Sequence, residues 1–332
     1  MVPLVDQFGR VHRDLRISVT DRCNLRCTYC MPADGLEWLP RGDLLSFEEL
    51  ARIAGLLVEA HGISSIRLTG GEPTLRAHLH RLVRSLAALR TPHDEPIDVA
   101  LTTNGVTFVQ HASELRAAGL RRVNISLDTL RPERFVELSR RDELHRVLAG
   151  IDAAVAAGFE KVKLNAVVMR GVNDDEIIDI ATYGREVGVE VRFIEFMPLD
   201  AQQRWDLSTV VTQDEILDRI GSRFPLEPMA RGTEPAERFR YLDGAGTVGV
   251  IASVTHAFCH SCDRVRLSAE GQFRSCLFAI DEIDLRGPMR NGASDEELGA
   301  LVAGNVADKW AGHQIGRVQF IRPSKSMSQI GG

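Results

Sequence analysis

Residues 15–20, Leu15-Arg16-Ile17-Ser18-Val19-Thr20, alternate apolar and polar side chains, and the tight run Cys23-x3-Cys27-x2-Cys30 follows directly. Alternation with period two marks a β-strand with one apolar and one polar face. Further strands are expected at 65–69, 97–103, 122–127, 161–169 and 190–197. Helical patterns fill the gaps. The clearest opens at Ser46-Phe47-Glu48-Glu49, a capping box in which serine and Glu49 satisfy free backbone N–H groups. Six strand–helix units predict a parallel sheet with right-handed crossovers, and six strands fall short of the eight that close a TIM barrel. The expected fold is α/β: an open partial (βα)6 TIM-like barrel over residues 1–200, then a smaller C-terminal α+β region over 201–332. In the latter, 212–223 and 294–310 read as containing helices, and 238–242 and 247–254 as short strands.

The polar strand faces share a chemistry. Arg16, Ser18 and Thr20 share one face, as do Ser65, Arg67 and Thr69, then Asp98 and Thr102, then Arg122, Asn124, Ser126 and Asp128, then Lys161, Lys163 and Asn165. A parallel sheet covered on both faces reads as continuously apolar, and an ordinary barrel lumen is branched aliphatic. These strands predict a wet, basic lumen instead; the competing reading is a sheet with a solvated outer face. In the sixth strand Arg192 and Glu195 have opposite parity, which leaves its side-chain directions open.

Composition sets the class. The chain has 332 residues, 44% hydrophobic and 26% charged, ordinary for a globular protein that needs no disulfide staples. No apolar run approaches the roughly 20 residues of a membrane helix, and the N-terminus lacks the apolar stretch of a signal peptide. No membrane partner and a cytoplasmic location are therefore expected. The net charge of −6 argues against broad binding to nucleic acid, so any anionic substrate needs a local cationic pocket. Lys161, Lys163, Lys309 and Lys325 are the only lysines.

The six cysteines fall into two groups of three: Cys23, Cys27 and Cys30, then Cys259, Cys262 and Cys276. Three thiolates suit an iron–sulfur cube with three irons held and one free. Structural zinc is the alternative at either group, with His256 or His260 as fourth ligand at the second. Gly70-Gly71-Glu72-Pro73 adds a glycine turn after the second strand, on the edge where parallel α/β sheets collect their sites.

Thr20 to Pro32, with its three cysteines, followed by Thr69-Gly70-Gly71-Glu72-Pro73, resembles the signature of the radical S-adenosylmethionine enzymes. The likeness continues through Leu101-Thr102-Thr103-Asn104-Gly105, Asn124-Ile125-Ser126-Leu127-Asp128, Arg192-Phe193-Ile194-Glu195-Phe196-Met197, Phe258-Cys259-His260-Ser261-Cys262-Asp263-Arg264-Val265-Arg266-Leu267 and the terminal Gly331-Gly332. The whole set is similar to the GTP 3',8-cyclase family of molybdenum cofactor biosynthesis. The resemblance implies two 4Fe-4S clusters, one on each cysteine triple, with S-adenosylmethionine as cofactor, GTP as substrate and an electron donor as partner. It assigns S-adenosylmethionine to Tyr29, Gly71, Ser126 and Met197, and GTP to Arg16, Arg67, Thr102, Lys163 and the stretch Arg264, Val265 and Arg266. No side chain is singled out as catalytic, since the cofactors carry the hard chemistry. Gly71 makes independent sense, because a residue without Cβ lets a ligand approach the backbone. Thr74 departs from the family, which often has an aliphatic residue there. The paired glycines are implied to enter the active-site pocket, against the plain reading of a frayed end. A homodimer is compatible with the sequence. Two other functions stay open: another two-cluster radical S-adenosylmethionine enzyme, such as a peptide-modifying maturase, and a zinc-stabilised binding protein without catalysis.

Overall fold

The computed structural model describes every residue except 33, 201–204, 314, 316–319, 321–324, 326 and 331–332. The Gly331-Gly332 tail expected to matter for turnover lies outside the described residues.

Six strands alternate with helices: β1 (Asp14–Ser18), β2 (Ser65–Thr69), β3 (Asp98–Thr103), β4 (Arg122–Ser126), β5 (Lys161–Val168) and β6 (Glu190–Glu195). Six more follow: β7 (Leu226–Pro228), β8 (Glu237–Tyr241), β9 (Thr247–Ile251), β10 (Arg264–Leu267), β11 (Gln272–Arg274) and β12 (Ile283–Asp284). Their order is β12-β11-β10-β1-β2-β3-β4-β5-β6-β9-β8-β7. β1 to β6 pair in sequence, all parallel. The sheet stays open, because its order begins at β12 and ends at β7.

The later strands extend the same sheet at both edges. β10 runs parallel to β1, and β9 parallel to β6. Antiparallel pairs β10–β11 and β8–β9 continue outward from these. Segments far apart in sequence thus meet across β1 and β10.

The helix at Phe47–His61 begins at the expected capping box, with Ser46 and Glu49 satisfying each other's backbone N–H. Thr212 with Glu215 and Ser294 with Glu297 start the helices Gln213–Arg223 and Asp295–Ala307 in the same way. The apolar strand faces supply the core: Leu15, Ile17, Ile66, Leu68, Val99, Leu101, Val123, Ile125 and Leu164 are all fully buried. Burying a side chain of this size stabilises by about 1.5–3 kcal/mol. The polar faces are thereby turned toward the opposite side of the sheet. Among the described residues, no helix is long and apolar enough to cross a membrane.

Candidate functional site

The first cysteine triple lies in the loop after β1, at the C-terminal edge of the parallel strands. Gly71 sits against that loop: its N–H donates to the carbonyl of Thr20 at 2.8 Å, and the Glu72 N–H donates to the carbonyl of Arg22 at 2.7 Å. A Cβ at Gly71 would come within 2.3 Å of the Arg22 carbonyl oxygen, and one at Gly70 within 2.5 Å of that of Thr20. The absent side chain makes room for the cysteine loop itself, a reason different from the ligand approach expected from sequence.

Glu72 is fully buried, and its carboxylate organises this edge. One oxygen accepts from the Thr74 N–H at 3.0 Å, the Thr74 hydroxyl at 2.6 Å and the Thr103 hydroxyl at 2.7 Å; the other accepts from the Asn104 N–H at 2.7 Å. The unusual Thr74 is therefore a hydrogen-bond partner of Glu72. Asn104 in turn donates to Asn24 at 2.8 Å and lies 3.8 Å from the Cys23 sulfur. The Tyr29 hydroxyl donates to Asp128 at 2.6 Å, and the other Asp128 oxygen accepts from the Val167 N–H at 2.9 Å. Burial pushes the Asp128 carboxyl up to about 6 despite these bonds. Burial also pushes the Cys27 thiol well up, and burial together with Glu72 brings Cys23 to about 11. Such thiols ionise when a cationic metal centre takes them as ligands.

Below this edge the polar strand faces line a cavity. Arg67 on β2 pairs in register with Arg16 on β1, and Arg16 with Arg266 on β10. Residues matched in register project to the same face, so three guanidinium groups stand in a row toward the cavity, with Arg264 beside them. Among the described residues, buried nitrogens of Arg16, Arg67, Arg264 and Arg266 have no hydrogen-bond partner. Burial and the Arg16 charge push Arg67 and Arg266 down to about 9, still charged at neutral pH. Thr102, Asn124, Asn165 and Met197 line the same cavity.

The open parity of β6 is resolved. Arg192 and Ile194 face the cavity, while Glu195 accepts from the N–H groups of Gln213, Val254 and Thr255. Lys163 departs from the expected grouping. It is absent from the lining of the arginine cavity, and its ammonium is 3.6 Å from Glu190 and 3.4 Å from Glu234. Both carboxyls also hold Arg192, Glu190 at 2.6 Å. Burial would raise these carboxyls, but Arg192 and Lys163 bring both to about 2. Burial and Arg192 push Lys163 itself down to about 8. Val265 is fully buried in the apolar core, so only its backbone is available to a ligand.

The second triple flanks the opposite end of the strands. Cys262 precedes β10, whose first residue, Arg264, is paired with Asp14 at the start of β1. Its three sulfur-bearing residues line the arginine cavity. Burial pushes the Cys262 thiol up, but Arg264 and Lys309 outweigh it and hold the thiol at about 6. His256 and His260, the alternative zinc ligands, are exposed. Among the described residues no group of three His, Cys, Asp or Glu side chains could hold a single metal ion. The donor set, three thiols per group, fits iron–sulfur cubes, and the unpaired arginine nitrogens fit an anion.

Glu190 and Glu234 carry no mark in the sequence; their role emerges only where β5, β6 and the segment before β8 converge. Asp128 lies in the run Asn124-Ile125-Ser126-Leu127-Asp128 and Glu72 in Thr69-Gly70-Gly71-Glu72-Pro73, and Lys309 stands out only by the scarcity of lysine.

An open α/β barrel with a three-thiol loop after its first strand and a glycine turn packed against that loop has the build of a radical S-adenosylmethionine enzyme. Residues 17–184 match the Radical SAM superfamily and residues 189–315 match Molybdenum Cofactor Synthesis C. GTP 3',8-cyclase of Corynebacterium glutamicum (strain R) is 51% identical over 336 residues, covering 99% of this chain and 89% of that protein. GTP 3',8-cyclase of Streptomyces coelicolor is 48% identical over 332 residues, with 99% and 96% covered. The crystal structure of Streptococcus suis SuiB bound to S-adenosylmethionine shares the fold, with a TM-score of 0.59 at 14% identity over 89% of this chain and 69% of that one. Native anSMEcpe with bound AdoMet does likewise, with a TM-score of 0.54 at 16% identity over 81% and 75%. The chain belongs to the GTP 3',8-cyclase family of radical S-adenosylmethionine enzymes, which acts in molybdenum cofactor biosynthesis. Use of S-adenosylmethionine and of iron–sulfur chemistry follows from that membership.

Proposed function

We propose that the chain converts GTP to (8S)-3',8-cyclo-7,8-dihydroguanosine 5'-triphosphate, with a 4Fe-4S cluster on each cysteine triple. The observation that carries this reading is the in-register row Arg67–Arg16–Arg266, turned into a cavity that the second thiol group also lines. When bound, the cluster at Cys23, Cys27 and Cys30 supplies the electron for cleaving S-adenosylmethionine, the source of the radical that takes hydrogen from C3' of the ribose.

The chain's own residues position the reactants. Tyr29, Gly71, Ser126 and Met197 gather at the C-terminal edge of the strands, where S-adenosylmethionine would lie. Arg16, Arg67, Arg264 and Arg266 hold the triphosphate, with Thr102 beside them. Guanine is directed toward Cys259, Cys262 and Cys276. Joining C3' to C8 leaves the triphosphate unchanged, so these arginines contribute binding and orientation alike from substrate to product. Lys163 joins them once its carboxylate partners yield to phosphate. The division of labour follows the chain: residues 1–200 carry the S-adenosylmethionine site, and 201–332 the second cluster and much of the GTP site. An external one-electron donor completes the system, in a protein expected to be cytoplasmic and compatible with a homodimer.

Anaerobic turnover with GTP, S-adenosylmethionine and a reductant, followed by mass analysis of the product, tests the reading. The expected product separates from GTP on chromatography, has the mass of GTP and keeps all three phosphates; release of 5'-deoxyadenosine with GTP unaltered would overturn it.

A further inference from the structure

Beside the second thiol group the N-terminal segment folds back on itself, with Val5 bridged to Val11. Arg10 donates to the carbonyls of Cys259 at 2.6 Å, Ala311 at 2.8 Å and Trp310 at 2.5 Å. Gln7 donates to the carbonyl of Lys309 at 3.1 Å. Inside this scaffold Lys309 is only 2% exposed. Its Nζ lies 2.8 Å from His12 Nε2, 2.9 Å from the carbonyl oxygen of Arg264 and 3.6 Å from the sulfur of Cys262.

An ammonium has three N–H bonds, and these three acceptors use them all. His12 is fully buried, with Nδ1 3.3 Å from the carbonyl of Leu4. The network assigns the ring hydrogen to Nδ1 and leaves Nε2 as the acceptor. The Asp6 carboxylate lies 3.7 Å from His12 Nε2 and is itself paired with Arg10 at 2.5 Å. A buried ammonium is costly unless a counter-charge meets it. Of its three acceptors, His12 and the carbonyl are neutral. The Cys262 sulfur alone can supply the negative charge, which it does as a thiolate ligand.

We propose that Lys309 is a positioning residue that hydrogen-bonds the Cys262 thiolate of the second iron–sulfur cluster and raises that cluster's reduction potential. The inference rests on reading Cys259, Cys262 and Cys276 as cluster ligands. Reduction adds negative charge to the cluster and its sulfurs, so a buried N–H donor stabilises the reduced form more than the oxidised one. His12 and the Arg264 carbonyl keep the ammonium aimed at sulfur.

The test uses full-length protein reconstituted anaerobically, with Cys23, Cys27 and Cys30 changed to Ala so that only the second cluster is observed. Lys309→Met should lower its midpoint potential, with about a tenfold change in the reduction equilibrium, or about 59 mV for one electron. Lys309→Arg should restore most of the shift. Four-iron content with an unshifted potential in Lys309→Met overturns the role of Lys309 alone. Absence of iron in the parent, with zinc in its place, overturns the cluster reading and this proposal together. Should Lys309→Met fail to fold, the same Cys23, Cys27 and Cys30 to Ala protein with Lys309 intact, grown on nitrogen-15 lysine, gives the answer: electron–nuclear double resonance of the reduced second cluster should show coupling to a lysine nitrogen. A missing coupling overturns the hydrogen bond.

Discussion

Arg16 and Arg266 lie side by side on adjacent parallel strands, matched in register, although they are far apart in sequence. Arg67 flanks Arg16 on its other side in the same register. Like charges placed directly opposite one another on a sheet are destabilising, and here, among the described residues, buried guanidinium nitrogens also lack acceptors. An arrangement that costs the empty fold stability is explained by an anion that binds the row.

Arg16→Met should therefore have opposite effects on binding and on stability. A charge-assisted hydrogen bond is worth about 1.5–3 kcal/mol, so GTP affinity should fall roughly 10- to 100-fold, read by equilibrium binding without turnover. The metal-free chain should melt at a higher temperature, since the repulsion and the desolvated charge are gone. Unchanged GTP affinity would sink the phosphate role.

The two thiol groups should separate by function. Reconstituted protein should contain about eight irons and little zinc. Cys27→Ala should abolish cleavage of S-adenosylmethionine, while Cys259→Ala should keep some uncoupled cleavage and lose the cyclised product. Normal cyclisation by the Cys259 variant would remove the second group from the substrate site.

Lys163 sets a pH dependence. Its folded-state pKa is brought below the usual lysine value to about 8 by burial and Arg192, so the ammonium is present below that pH and lost above it. GTP binding should weaken as pH rises through about 8, and Lys163→Arg should flatten the profile. Lys163→Ala should weaken GTP binding at pH 7. Glu234→Gln should tighten it, because that carboxylate occupies Lys163 and Arg192 in the ligand-free protein. Weaker GTP binding by Glu234→Gln would show that Glu234 supports the site.

Glu190 and Glu234 also govern acid stability. Both are held at about 2 by Arg192 and Lys163 against the effect of burial. Carboxyls with depressed folded-state pKa values stabilise the fold above their unfolded values near 4.3, and that stability is lost as pH falls toward 2. Urea unfolding of the metal-free chain between pH 6 and pH 3 should show a shallower loss in Glu190→Gln than in the parent. Identical slopes would place the acid-sensitive groups elsewhere.

Thr74→Val should cost about 1 kcal/mol through its lost bond to Glu72. Glu72→Ala should cost roughly 2–4 kcal/mol, because the donors at Thr103 and Asn104 lose their acceptor. Both are measured by urea unfolding of the metal-free chain. Equal stability of parent and Glu72→Ala would contradict the organising role of this carboxylate.

The barrel was legible because strand alternation reports burial directly: Leu15 and Ile17 went to the core, and Arg16 to the cavity. Strand ends were less so. The expected strands at 15–20 and 190–197 stop at Ser18 and Glu195, because the residues beyond them bend into site loops. The expected strand at 247–254 stops at Ile251, and the N–H groups of Val254 and Thr255 go to the Glu195 carboxylate instead. A distant side chain took those donors from the sheet, which no local pattern signals.

Local physics alone determined the six strand–helix units, the polar strand faces, the capping box and the two thiol triples, since each depends on near neighbours in the chain. Tertiary structure decided what crosses between distant segments. It placed β10 against β1, completing the arginine row, and β9 against β6. It turned Arg192 toward the cavity, engaged Lys163 with Glu190 and Glu234, and set Lys309 between His12 and Cys262. Such contacts form where buried charges find partners, and the choice of partner depends on the packing of the whole chain rather than on the period of any one stretch.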